Sequence, residues 1–154
     1  MLLFFFESHG ELFIYFLPQG STINSKPYCS TLMKLRKAIK SKQPDLLTQQ
    51  VILLYGNSRP HISRETKTTL QNFLWKVFKH PPDSPNLSSC DIHIFGIPKR
   101  AIQETGIHSG DEVKEAAQNF FQNQLLSFYS KVIALLRKWW DLCYNTMAIS
   151  LDFQ

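Results

Sequence analysis

The chain has 154 residues and a mass of 17.9 kDa, one domain's worth, enough to bury a core without a disulfide framework or a structural metal. Lys plus Arg number 17 against 12 for Asp plus Glu, a net of +5 with a pI near 9.2, the balance expected of a nucleic-acid partner or, equally, of a merely basic soluble protein, and not of an acidic surface. The three cysteines, Cys29, Cys90 and Cys143, are odd in number and widely spaced, so they indicate neither a disulfide framework nor a Cys-x-x-Cys metal site and suit a reducing compartment.

The apolar opening, Met1 to Phe6, has no basic residue before it, is interrupted by Glu7 and meets no small-residue cleavage site before Pro18, so it does not read as a signal peptide. No run approaches the roughly 18 apolar residues of a spanning helix, and a soluble chain is expected. Residues 2–6 and 12–17 are β-prone runs joined by Glu7-Ser8-His9-Gly10-Glu11, with Gly10 supplying the turn of a hairpin. Because both runs are almost continuously apolar, the hairpin is expected to be covered on both faces.

Pro18-Gln19-Gly20 ends the second strand, and Ser25 with Pro27 caps a helix over about 26–41. Its apolar residues Tyr28, Leu32, Leu35 and Ile39 share one side, leaving Lys34, Arg36, Lys37 and Lys40 on the remainder, as a solvated face or a phosphate contact. Pro44 and Asp45 form a linker to a buried strand, Val51 to Tyr55, which Gly56 ends. A helix over 62–73, a strand over 75–78, a proline-rich loop over 80–86 and a helix over about 89–103 follow. Beyond Gly106 the pattern is helical: one helix from Asp111 to Phe121, with Val113, Ala116, Ala117, Phe120 and Phe121 on a face, and another over 126–143 carrying Phe128, Ile133, Leu136, Trp139, Trp140 and Cys143.

Two blocks stand out, Gly-Asn-Ser-Arg-Pro-His at 56–61 and His-Pro-Pro-Asp-Ser-Pro-Asn-Leu-Ser-Ser-Cys-Asp at 80–91. With Leu17 to Asn24, Tyr28-Cys29, Asp111 to Ala116 and Trp140-x-x-Cys143, they resemble the catalytic domain of mariner-type (Tc1/mariner) transposases along nearly the whole chain. The resemblance implies an α/β, RNase H-like fold of the DDE transposase and integrase type, with a mixed central sheet flanked by helices and a helical C-terminal part. It also implies a single catalytic domain over residues 1–154, without the family's N-terminal helix-turn-helix modules. One family member is fused to a histone methyltransferase, and nothing here resembles that half.

In such transposases three carboxylates hold two Mg²⁺ ions, one activating water or a 3′ hydroxyl and the other stabilising the leaving oxygen. Carried over by motif, the first position falls on Glu7, three residues before Gly10, and the third on Asp91, after the family's interval of 34 intervening positions. The middle position is Gly56, which has no side chain to offer a metal. Glu7 and Asp91 are therefore the catalytic and metal-binding candidates of a degenerate triad, with Asp83 a further acid in the same loop, and Mg²⁺ or Mn²⁺ the implied ion. On their own, a carboxylate beside a turn and one before a helix are a solvated group and a cap.

The expected function is a degenerate transposase domain, inactive in DNA cleavage and strand transfer, that binds DNA weakly and without sequence preference through Lys34, Lys37, Lys40, Arg59 and His61. A residual Mn²⁺- or Mg²⁺-dependent nuclease is one alternative, and a non-catalytic dimerisation or scaffold module is another. A homodimer, a nuclear location, no membrane and no small-molecule substrate complete the expectations.

Overall fold

The computed structural model describes residues 2–55, 58–79, 96, 99–100, 106 and 109–151. The chain divides into two compact units, one of Met1–Phe5 with Leu12–Pro82 and the other of Phe6–Glu11 with Asp83–Gln154. Strands β1 (Leu2–Glu7) and β2 (Gly10–Phe16) form the expected hairpin. Its loop is Ser8 and His9, and the positive φ falls after them on Gly10, at +136°, so the loop is not the mirror-image turn that needs a positive φ at its central residues. Every strand residue is at least half-buried, in keeping with apolar runs, but Leu12 alone in the two strands is fully buried.

In the first unit, helix α1 (Ser25–Lys42) buries Tyr28, Leu32, Leu35 and Ile39 together with Cys29 and Thr31. Thr31 is satisfied by donating to the Pro27 carbonyl at 3.0 Å, as a hydroxyl buried in a helix must be. The N-cap is Asn24 rather than Ser25; the Ser25 hydroxyl donates instead to the Glu65 carboxylate. Where a linker is expected, Pro44–Thr48 forms a short helix, α2, because proline at a first helical position gives up only an N–H that has no partner there.

Strands β3 (Ile52–Tyr55) and β4 (Lys76–Lys79) pair in parallel, with Leu53 opposite Val77 and Leu54 opposite Phe78. The expected full burial of β3 is corrected to a half: Leu53 and Tyr55 point into the core, while Ile52 is 58% exposed. The crossover between the strands is α3 (Arg59–Ile62) and α4 (Arg64–Asn72), so the helix expected over 62–73 starts earlier and breaks at Ser63, whose ψ of 154° is extended. Leu74 ends α4 at φ 60°; its N–H donates to Gln71 O and that of Trp75 to Leu70 O, the Schellman pattern. Leu12, Leu32, Leu35, Ile39, Leu53, Leu70 and Trp75 meet around Tyr28 and Tyr55 in the core.

The second unit's described part is the hairpin tip with α5 (Gly110–Gln122) and α6 (Leu126–Leu151), the latter running past the expected end at 143. The Tyr129 hydroxyl donates to Phe121 O at 2.7 Å, tying the two helices, and Phe6 packs on Tyr129 with ring centroids 6.0 Å apart. Leu136 is buried as expected, with Tyr129 and Val132 beside it on the same helix. Of the helix expected over 89–103, Gly96, Lys99 and Arg100 are described and are helical; the rest, and the 80–86 loop, lie outside the described residues. No helix among the described residues is long and apolar enough to cross a membrane.

Candidate functional site

Glu7 is the last residue of β1, and the hairpin turns its carboxylate back on the loop. Oε1 accepts the His9 backbone N–H at 2.8 Å, and Oε2 accepts the Ser8 hydroxyl at 3.1 Å. The His9 ring, with its proton on Nδ1, donates to the same Oε2 at 2.9 Å. Closing a two-residue loop in this way is ordinary chemistry for an acid that precedes it. Among the described residues no three His, Cys, Asp or Glu side chains are grouped to hold a metal ion. Gly56 and Asp91, along with Asp83, lie outside the described residues.

The basic candidates all belong to the first unit. Lys34, Lys37 and Lys40 are exposed along α1, with the Lys34 ammonium 4.7 Å from the centre of the Tyr15 ring. Arg59 is exposed at the start of α3. His61, by contrast, is half-buried: its ring lies 4.5 Å from that of Tyr28 and 5.3 Å from that of Tyr55. Burial pushes the Tyr28 hydroxyl far above the usual phenol range, with Tyr55 and Cys29 adding to it, and burial raises Tyr55 as well. These phenols stay neutral at physiological pH, so the histidine packs on apolar ring surface.

Sequence reading missed what fixes the Arg59-Pro60-His61 turn. Thr66, fully buried in α4, donates from Oγ1 to Pro60 O at 2.6 Å and accepts from the Ser63 hydroxyl at 2.9 Å. Its own N–H donates to Ser63 Oγ at 3.2 Å, making Ser63 the side-chain cap of α4. A serine just before Arg64-Glu65-Thr66 was the available signal, being the residue type that starts helices.

The family model described as transposase (partial DDE domain) matches residues 1–49. The mariner Mos1 transposase of Drosophila mauritiana is 30% identical over 145 residues, which is 93% of this chain and 42% of that protein. The solved Mos1 transposase catalytic domain, crystallised with raltegravir and manganese, superposes with a TM-score of 0.85 at 28% identity, covering 94% of this chain and 74% of that one. The chain carries a mariner-type transposase domain. The human histone-lysine N-methyltransferase SETMAR is 28% identical over 146 residues, 94% of this chain but 21% of its own length. The mariner-type domain thus spans less than half of each of these two relatives, and its fold is the expected α/β, RNase H-like one.

Proposed function

We propose that this mariner-type domain is catalytically decayed: it keeps the transposase fold, does not cut or join DNA, and retains weak, sequence-independent affinity for DNA. The observation that carries the reading is Gly56, which stands where the family's middle carboxylate belongs and offers a metal neither ligand nor charge. The hydrogen bonds that draw both Glu7 oxygens into their own turn support it. Relatives give the partner: Mos1 transposase has been solved in a paired-end complex with the left transposon end. For this chain DNA is the proposed partner, with Lys34, Lys37, Lys40 and Arg59 facing phosphates and His61 holding the turn that carries Arg59.

Supercoiled plasmid incubated with the protein and Mg²⁺ or Mn²⁺ is expected to stay intact, and Mn²⁺ titrated calorimetrically into the protein is expected to give no saturable heat. Nicking that disappears in Asp91→Ala, or Mn²⁺ binding that disappears in Glu7→Gln, would overturn the reading in favour of a residual nuclease.

A further inference from the structure

The charge of the chain is divided unevenly between its two units. The first holds eleven Lys or Arg against two Asp or Glu, a net of +9; the second holds six against ten, a net of −4. Both acids of the first unit, Asp45 and Glu65, lie outside α1, and Glu65 accepts a hydrogen bond from Ser25. Within α1 itself there are six cations and no acid.

Successive steps of three or four residues put Lys26, Ser30, Met33, Lys37 and Lys40 in one row, opposite the buried Tyr28, Leu32, Leu35 and Ile39, and all five are exposed. From Lys26 to Lys40 this row runs about 21 Å at the usual helical rise. It carries no aromatic side chain. Two rings beside the helix each hold a cation against one face, Tyr15 the Lys34 ammonium and Phe73 the Arg36 guanidinium, whose carbon lies 5.0 Å from the ring centre. Binding of single strands draws on open aromatic faces on which bases stack, and α1 offers none. A straight row of flexible ammonium groups suits instead the closely spaced phosphates of a duplex, whose charge repeats at every base pair whatever the sequence.

We propose that the outward row of α1, through Lys26, Lys37 and Lys40, is the DNA contact of this chain, taking the phosphodiester backbone of duplex DNA without sequence preference and without a metal ion. The inference rests on DNA being the partner; it adds Lys26 to Lys37 and Lys40, and leaves outside the row Lys34, which lies over the Tyr15 ring, Arg59, and His61, whose half-buried ring packs on Tyr28 and Tyr55.

Fluorescence anisotropy of the full chain with a labelled random-sequence duplex, in EDTA and across a salt series, tests it. The triple variant Lys26→Gln, Lys37→Gln, Lys40→Gln is expected to bind at least about tenfold more weakly at low salt, with a slope of log affinity on log salt shallower by about 3. The matched triple Lys131→Gln, Arg137→Gln, Lys138→Gln, exposed on α6, is expected to stay within about twofold of wild type. Circular dichroism checks that both variants keep the fold. Equal weakening in both triples, or an unchanged α1 triple, overturns the inference while leaving DNA as the partner. A wild type that binds no duplex even at low salt overturns both, and tighter binding to a single strand of the same length overturns the duplex assignment.

Discussion

Leu74 adopts a left-handed backbone conformation at φ 60° while 80% of its surface is exposed, so the strain is not offset by packing. A side chain there costs about 1–2 kcal/mol that glycine does not incur. Part of the gain is lost to the extra freedom of glycine in the unfolded chain. Leu74→Gly is therefore expected to stabilise the fold by about 0.5–1 kcal/mol, read as a higher urea midpoint with an unchanged slope. Thr66 is the opposite case, since removing its hydroxyl takes the donor from Pro60 O and the acceptor from the Ser63 hydroxyl, leaving Ser63 only the cap bond from the Thr66 N–H. Thr66→Val should cost about 1–3 kcal/mol and Thr66→Ser less, and loosening of the Arg59-Pro60-His61 turn would appear as faster amide exchange at His61, whose N–H donates to Ser58 O. At this scale the sequence is a partial guide. It locates Glu7 beside a turn, but the direction of the carboxylate depends on a rotamer set by Ser8 and His9, and no residue pattern encodes that.

Among the elements, those with a clean period were legible. The hairpin follows from two β-prone runs around Gly10, and α1 from apolar positions three and four residues apart, the same positions the structure buries. Pro44 misleads because proline both breaks helices and begins them, and only the partners of the neighbouring N–H groups distinguish the two roles. Val51 to Tyr55 misleads because a continuous apolar run does not reveal which face of a parallel pair is covered. The α5–α6 pair lends itself to a pH test. Burial, with Glu11 adding to it, pushes the Tyr129 phenol up to about 12 from its ordinary 10.0. Between those values the unfolded chain has lost a proton that the folded chain keeps, so stability is intact below pH 10.0 and falls as pH rises toward about 12. Tyr28 and Tyr55 are shifted in the same direction and steepen the fall. Tyr129→Phe should flatten its share of that alkaline loss and, at neutral pH, cost about 0.5–1.5 kcal/mol for the bond to Phe121 O; thermal melts across the alkaline range measure both.

For the molecule as a whole, the overall charge of +5 hides a first unit that repels itself and a second of opposite sign. Salt screens charges over about 10 Å at 0.1 M, so melting of the first unit, followed at the buried Trp75, should move to higher temperature as ionic strength rises from low values. A melting temperature that falls with salt would mean that attraction between charges dominates. The outward residues of β3 matter on the same scale. Ile52 at 58% and Leu54 at 36% exposure share one side of the strand and present greasy surface on a short parallel ribbon. On warming, copies of the chain should clump through this ribbon before they fully denature, so the onset of turbidity will depend on concentration. Ile52→Thr, which keeps a branched side chain suited to a strand, is expected to delay that onset and leave the fold in place.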